Sequence, residues 1–253
     1  MSQGTSIEWT DATWNPVTGC TKISPGCLRC YAERLAHRLQ AMGNYNYRND
    51  FEVTLQEQML RLPLSWKRPR RVFVNSMSDL FHEEVSVEYV TRVFEVMRQA
   101  HWHQFQILTK RSERLRQLAS SLPWADNIWM GVSAEARQYL YRIDHLRYTS
   151  AAMKFISFEP LLESLGAVEL RGIDWVIVGG ESGPGARPME RSWVIEILQA
   201  CRQASVPFFF KQWGGTNKKR AGRILDGKTW DEVPESATRK ALSSSRPLRT
   251  CSH

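Results

Sequence analysis

Short apolar runs alternate with stretches of helical periodicity over most of the chain. Seven runs rich in β-branched or aromatic residues indicate strands, at about 9–17, 71–75, 105–109, 128–133, 154–158, 175–178 and 208–212. Between several of them, apolar residues recur three and four positions apart, which predicts helices from about Ser86, from Ser112, from about Ala134 to Tyr148, and after a cap at Ser192. Crossovers repeated this often make either an open doubly wound sheet or a barrel. We predict an α/β fold, a complete or partial (βα) barrel of the TIM type with about six or seven parallel strands.

The hydrophobic pattern also divides the chain. The barrel is expected to span residues 1–213. Within it, residues 39–63 lack a strand signal and are interpreted as an insertion suited to act as a lid or substrate loop. Residues 214–253 form a basic C-terminal extension, whose last dozen residues are predicted to be disordered.

Polar residues follow the strands where they end. These residues are Asn75, Ser76 and Ser78, then Lys110, then Ser133 and Glu135, then Glu159, and finally Gly179, Gly180 and Glu181. In a parallel barrel all strand ends meet on one face, where such folds place their active sites. For Glu159 and Glu181, the alternative to a functional role is an ion pair with Lys110, Arg111, Arg187 or Lys211 at the rim. The glycines lack side chains and leave room for an anion to approach backbone amides.

Composition narrows the class of protein. The 253 residues include 34 Lys or Arg and 26 Asp or Glu, a net charge of +8 that favours an anionic partner such as nucleic acid. No apolar run approaches the roughly 20 residues that span a bilayer, and no secretion signal begins the chain. A cytoplasmic, monomeric protein that does not enter the membrane is expected.

The most informative segment contains three of the five cysteines. Cys20, Cys27 and Cys30 have the spacing C-x6-C-x2-C and lie directly before a predicted helix. Three thiolates can hold three irons of a [4Fe–4S] cluster and leave the fourth iron open. They can equally hold zinc with a fourth ligand, for which His37 is a candidate, or be unrelated cysteines. Cys201 falls on an apolar helix face and is interpreted as a core residue.

Three cysteines after the first strand of a barrel, the last followed by aromatic Tyr31, resemble the radical S-adenosylmethionine (SAM) superfamily. The residues at three strand ends, 108–111, 132–133 and 158–160, resemble those of its spore photoproduct lyase branch. Over nearly its whole length the chain also resembles a phage-associated three-cysteine-motif family of unsettled function, most closely at 14–20, 75–79 and 178–182. The superfamily's usual spacing is C-x3-C-x2-C, so the first cysteine loop here is three residues longer. Its Gly-Gly-Glu motif normally ends the second strand, whereas Gly179, Gly180 and Glu181 here end the sixth.

The resemblance implies a specific chemistry. Cys20, Cys27 and Cys30 would hold a [4Fe–4S] cluster, and a reductant such as flavodoxin or ferredoxin would supply the electron that cleaves SAM to a 5′-deoxyadenosyl radical. The implied SAM-binding residues are Tyr31, Asn75, Ser76, Ser78, Ser133, Glu135, Gly179 and Gly180. The candidate catalytic residues are Lys110, Glu159 and Glu181.

The expected function is therefore that of a radical SAM enzyme, of lyase or modification type. Charge and the branch resembled indicate a nucleic acid or nucleotide-derived base as substrate. The alternatives are a nucleic-acid-binding protein with a structural zinc or iron–sulfur centre, and an enzyme on the same barrel that uses the cluster only for electron transfer.

Overall fold

Seven parallel strands form the core sheet, which curls into a half-barrel. The computed structural model describes residues 7–234, and for residues 218 and 219 the backbone only. The described residues contain nine strands, of which β2 and β3 form a separate two-stranded sheet. They are β1 (Ala12–Trp14), β2 (Val17–Thr18), β3 (Thr54–Leu55), β4 (Arg71–Val74), β5 (Gln104–Thr109), β6 (Ile128–Ser133), β7 (Met153–Phe158), β8 (Trp175–Gly179) and β9 (Phe208–Gln212). The sheet has the order β1-β4-β5-β6-β7-β8-β9, and every neighbouring pair is parallel. The predicted α/β class and partial TIM-type barrel are confirmed.

Helices accompany most of the crossovers. They are α1 (Tyr31–Ala41), α2 (Glu57–Leu60), α3 (Val87–Gln99), α4 (Ser112–Leu118), α5 (Tyr141–Arg147), α6 (Arg191–Ala204) and α7 (Lys218–Ala221). No helix among the described residues is long and apolar enough to cross a membrane.

The two faces of the sheet bury different side chains because successive strand residues point to opposite sides. On β4, Val72 and Val74 join the large core beneath the helices, whereas Phe73 joins an aromatic layer on the other face. That layer comprises Trp9, Phe73, Trp129, Phe155, Trp175, Ile177 and Phe209. Glycine is required at position 131, since a Cβ there would lie 2.4 Å from the Phe155 ring.

Polar residues lie directly above this aromatic layer. On β7, Phe155 precedes Ser157 by two positions, so the two share the inner face of the half-barrel. Asn75 follows β4 and lines the same cavity as Phe73. The aromatic side chains therefore fill the lower part of the half-barrel, and the space at the carboxyl ends of the strands is lined by polar groups.

Two predicted helices differ in their bounds. The segment predicted as helix from Ala134 begins extended, because the Ala134 amide donates to the Ser157 carbonyl and Ala136 has φ −152° and ψ 161°. Helix α5 starts only at Tyr141. Ser192 does not cap α6, which begins one residue earlier with Glu190 as its N-cap.

The segment at 39–63 is attached to the cysteine region. Although no strand was expected there, β3 pairs antiparallel with β2, and the buried Gln56 amide donates to the Thr18 hydroxyl over 2.8 Å. Tyr47 packs against Ala32 and Ala36 of α1.

Part of the C-terminal region packs on the last strand. The Phe210 amide donates to the Trp230 carbonyl over 2.8 Å, and the Trp175 indole donates to the Glu232 carbonyl over 2.8 Å. The last dozen residues, for which disorder was predicted, lie outside the described residues.

Candidate functional site

The start of the cysteine loop is fixed by backbone hydrogen bonds. The Gly19 amide donates to the Met77 carbonyl and the Cys20 amide to the Phe51 carbonyl, both over 3.1 Å. Gly19 has φ +81°, and a Cβ at this position would lie 2.1 Å from the Glu52 carbonyl oxygen. Only glycine fits this close approach, which holds the start of the cysteine loop against the backbone at 51–52.

The second half of the loop leads directly into α1. A 3-10 turn over Pro25–Cys27 places Cys27, and Cys30 is the N-cap residue of α1 with extended φ and ψ. Cys30 therefore stands at the positive end of the α1 helix dipole, which favours an anionic group bound there.

The three thiols line one cavity of about 160 Å³ at the carboxyl edge of the sheet. All three are free cysteines. The other predicted site residues lining this cavity are Tyr31, Asn75, Ser76, Ser78, Lys110 and Ser133. Among residues 7–234, no group of three or more His, Cys, Asp or Glu side chains is arranged so that it could hold a metal ion.

Asn75 is the cavity residue with unused hydrogen-bonding capacity. It is buried, and neither its Nδ2 nor its Oδ1 has a partner among the described residues. Its φ of +59° lies in the left-handed region, which asparagine adopts more readily than most residues. A buried amide without a partner is costly, so this side chain is suited to bind a ligand with both donor and acceptor groups.

Arg111 supplies positive charge next to the first thiol. Its Nη2 lies 4.0 Å from Cys20 Sγ and donates to the Thr21 hydroxyl over 2.8 Å, while Nη1 bonds Glu83. Burial, with the nearby Asp79 carboxylate, raises the pKa of Cys20 to about 12 even though Arg111 opposes the shift. A metal or cluster at this thiol must therefore displace its proton.

The alkylation of Cys20 provides a test of this environment. In the metal-free protein, we expect the rate of reaction with iodoacetamide to rise about tenfold per pH unit from about pH 8 to about pH 10, because only the thiolate reacts. Peptide-resolved mass spectrometry measures this rate, and the urea-denatured protein is the control, in which the rate levels off near an ordinary thiol pKa. Levelling off in the folded protein near pH 9 would contradict the raised pKa.

Tyr31 connects the cysteine cavity to its neighbours. Its hydroxyl donates to the Ser76 carbonyl over 2.5 Å, which holds the ring across the junction of three cavities. The hydroxyls of Ser76 and Ser78 donate to Asn15 Oδ1 and to the Val17 carbonyl. These two serines thus also fasten the loop after β4 to the segment that precedes the cysteines.

A larger cavity of about 490 Å³ lies beside the cysteine cavity and shares five residues with it, namely Tyr31, Phe73, Leu108, Lys110 and Ser133. Ser133 lies at the end of β6 on the inner face of the sheet. The floor of the larger cavity is apolar and includes Trp9, and its walls carry the predicted residue Glu159 together with three further strand-end residues, Ser182, Lys211 and Gln212. Trp9 and Arg34 also line it, and neither was expected at the site.

Lys110 occupies the centre of this region. It lines both the cysteine cavity and the larger cavity, and its ammonium group makes no ion pair with a described residue. Its backbone amide and the Thr109 hydroxyl both donate to the buried Asp79 carboxylate. Asp79 therefore positions the β5 end. In the sequence, Asp79 stands directly before the apolar residues 80 and 81, which indicates a buried carboxylate. Buried carboxylates are normally paired, so this position predicts a structural partner for Asp79.

Glu159 carries its carboxylate into the larger cavity. Its Oε1 lies 2.8 Å from Lys211 Nζ, and its Oε2 accepts from the Ser157 hydroxyl over 2.9 Å. An ion pair with Lys211 is the alternative to a functional role that the sequence predicted for Glu159. Because the pair lines the cavity, the carboxylate remains next to any molecule bound there.

Glu181 is buried between two arginines. Arg187 binds it with both backbone and side chain, and Arg29 Nη1 lies 3.3 Å from its Oε2. Burial opposes ionisation, but the hydrogen bonds from Arg187 outweigh it and hold the pKa of Glu181 below its ordinary value. Arg187 also donates to the Pro25 carbonyl over 2.8 Å, so this network anchors the cysteine loop to the segment after β8.

Glu135 lies beneath the cysteine loop. It is fully buried, pairs with Arg142 over 3.0 Å, and accepts a hydrogen bond from the Gly26 amide over 3.4 Å. The structure places it in none of the cavities described above, so it supports the loop from below.

The glycines after β8 allow close backbone packing. A Cβ at Gly180 would lie 2.1 Å from the Trp213 carbonyl oxygen, and the Gly180 amide already donates to the Gln212 carbonyl. A Cβ at Gly179 would lie 2.6 Å from Glu159 Oε1. The absence of side chains here brings the ends of β8 and β9 together beside the Glu159 carboxylate.

His37, the candidate fourth zinc ligand, is engaged elsewhere. Its Nδ1 lies 2.6 Å and 2.7 Å from the two carboxylate oxygens of Asp50. It is not among the residues lining the cysteine cavity.

Comparison with known proteins gives one family and one fold. A family model described as "Protein of unknown function (DUF5131)" matches residues 4–234. None of the curated proteins matches the chain.

Several solved structures of spore photoproduct lyase are similar in fold. A cysteine-to-serine mutant of that enzyme shares 12% identity with a TM-score of 0.50, covering 96% of this chain and 74% of its own. A mutant with bound AdoMet and dinucleoside spore photoproduct shares 11% identity with a TM-score of 0.44, covering 76% of this chain and 61% of its own. The chain thus spans about three fifths of that relative's length.

Proposed function

Because the chain belongs to the DUF5131 family, whose description assigns no activity, we propose from its own residues that it is a radical SAM-type iron–sulfur enzyme. The observation that carries the proposal is the cavity lined by three free thiols and the unpartnered Asn75 amide, next to a larger polar cavity. Cys20, Cys27 and Cys30 hold a [4Fe–4S] cluster in this proposal. When bound, the cluster supplies the electron for reductive cleavage of SAM to a 5′-deoxyadenosyl radical.

The chain supplies a prepared place for that group. The three thiol groups are held on a loop that is fixed at both ends, by the loop after β4 at Cys20 and by Glu135 and Arg187 near Cys27. The Arg111 guanidinium and the α1 N-terminus place positive charge beside Cys20 and Cys30, which favours an anionic centre.

The SAM-binding residues of the proposal surround the same space. Asn75 offers a free donor and acceptor to the amino and carboxylate groups, and the Tyr31 ring offers a flat surface to adenine. Ser76 and Ser78 hold the β4 end in place, and Ser133 is assigned to the ribose side, whereas the buried Glu135 acts from below by holding the cysteine loop. Gly179 and Gly180 bring the ends of β8 and β9 together at the far edge.

The catalytic assignments follow from charge and position. Lys110 lines both cavities without an ion pair to any described residue and would neutralise an anionic ligand group. Glu159 can accept or return a proton while Ser157 and Lys211 orient it. Glu181 stays ionised and acts by holding Arg187 and Arg29 against the cysteine loop. The aromatic layer beneath excludes water from the lower half-barrel.

The substrate of the proposal is nucleic acid or a nucleotide-derived base, and a flavodoxin or ferredoxin is the reductant. The net charge of +8 and the cations around the larger cavity support an anionic substrate.

Anaerobic reconstitution tests the proposal. We expect iron rather than zinc in the protein and an EPR signal of the reduced cluster that changes when SAM is added, because SAM binds the iron that no cysteine holds. Dithionite-reduced protein should then release 5′-deoxyadenosine, measured by chromatography.

The control is Lys67→Met, which removes a charge before β4 at the opposite end of the strand and should leave the SAM-dependent signal unchanged. A protein that binds zinc, or a cluster whose signal is indifferent to SAM, would reject the proposal. The metal centre would then be structural or serve electron transfer. Oligonucleotide binding would be the next property to measure.

A further inference from the structure

The floor of the larger cavity is suited to a flat heterocycle. Ile7, Trp9, Phe73 and Leu108 line it, and the Trp9 and Phe73 rings meet edge to face with centroids 4.7 Å apart. Trp9 is buried, and its Nε1 has no hydrogen-bond partner among the described residues. An indole N–H without an acceptor favours a ligand that carries a carbonyl or ring nitrogen at its edge.

The rim of the same cavity carries excess positive charge. Three cations line it, namely Arg34, Lys110 and Lys211, against the single carboxylate of Glu159. Glu181 lies in the adjoining cavity and is already paired with Arg187 and Arg29.

Two of the rim cations are fixed in position by single contacts. Arg34 Nη2 donates to the Ser182 carbonyl over 2.9 Å, which leaves its other N–H groups for a ligand. Lys211 contacts Glu159 over 2.8 Å and retains further donors on its ammonium group. Arg34, Lys211 and Lys110 thus supply N–H donors of the kind that bind phosphate groups, and Lys110 makes no ion pair with a described residue.

We infer that this cavity binds a single nucleotide unit, with its base on the Trp9 and Phe73 floor and its phosphate at the Arg34, Lys110 and Lys211 rim. The inference rests on the proposed function, since the cavity adjoins the cysteine site, and it narrows the substrate to one nucleotide. The volume of about 490 Å³ lies within the range of sites for small ligands and is too small for stacked base pairs.

Binding of uridine 5′-monophosphate to the reconstituted protein, measured by calorimetry with and without saturating SAM, tests the inference. We expect it to bind at least about tenfold more tightly than uridine or inorganic phosphate, because it contacts floor and rim together. Added salt should weaken the binding of the monophosphate but not the binding of the nucleoside. A single-stranded trinucleotide that binds equally well would assign the site to a nucleotide within a strand, and weaker binding would assign it to a free nucleotide.

Helix α1 offers a matched pair of variants. Arg34→Met should weaken binding of the monophosphate about tenfold and leave uridine unaffected, because it removes charge-assisted hydrogen bonds to the phosphate. Arg38→Met removes the same charge one turn along, from an exposed residue outside the cavity, and should change nothing. Equal effects of the two variants, equal binding of nucleotide and nucleoside, or displacement of the nucleotide by SAM would overturn the inference. If SAM itself fails to bind while the nucleotide binds, the proposed function fails and this site remains.

Discussion

Alanine at Cys20, Cys27 or Cys30, introduced one at a time, is expected to abolish the iron chromophore of the reconstituted protein. Three thiolates hold three irons in the proposed centre, and two are too few to retain the cluster. The thiols line one cavity, so each loss removes one of its ligands. Iron content and visible absorbance after desalting measure the effect.

Cys201→Ala is the matched control and should keep the full iron content. Cys201 is fully buried on the core face of α6, where burial raises its pKa to about 12 and keeps it protonated. Far-ultraviolet circular dichroism of each variant separates loss of iron from loss of fold. Equal loss of iron in all four variants would show that the cysteine loop does not bind it.

Replacing Arg142 by methionine is expected to lower the free energy of unfolding of the metal-free protein by about 3–5 kcal/mol. The side chains of Arg142 and Glu135 are both almost fully buried, and removal of one partner leaves an uncompensated buried charge. The change also frees the Ser133 carbonyl from its bond to Arg142. Urea denaturation followed by circular dichroism measures the loss as a lower midpoint with an unchanged slope.

The double variant Glu135→Gln with Arg142→Met should be less destabilised than Arg142→Met alone, since no unpaired charge remains. Arg98→Met breaks an exposed ion pair with Glu95 and should cost less than about 1 kcal/mol. If Arg142→Met costs no more than Arg98→Met, the carboxylate of Glu135 is not held in a buried pair.

The Glu135 pair also links stability to the proposed site. Glu135 accepts from the Gly26 amide between the first two cysteines, so a loosened Glu135 releases one of the contacts that shape the loop. The same reasoning applies to Glu181, whose arginine partner reaches the Pro25 carbonyl. Both carboxylates were selected from sequence as strand-end residues, and in the structure both contact the cysteine loop. Their assignment to cofactor and substrate stays a prediction.

Two residues that line the larger cavity come from outside the strand-end pattern. Arg34 lies on α1 and Trp9 precedes β1, yet both line the larger cavity. Nothing in their immediate neighbours distinguishes them from an ordinary exposed arginine or a core tryptophan. Their roles become visible only when the cavity is formed.

The sequence by itself determined the elements and the spacing of the cysteines. Strand and helix periodicities depend on neighbouring residues, so seven parallel strands and a three-thiol loop before α1 were predictable from short segments. The tertiary structure alone decided which polar groups meet. Gly26 and Glu135 are 109 residues apart, and Arg29 and Glu181 are 152 apart. Such pairs depend on how the strands curl and which loops then touch, and no local pattern records that, because a buried carboxylate is stabilised only by the partners that the folded chain brings to it.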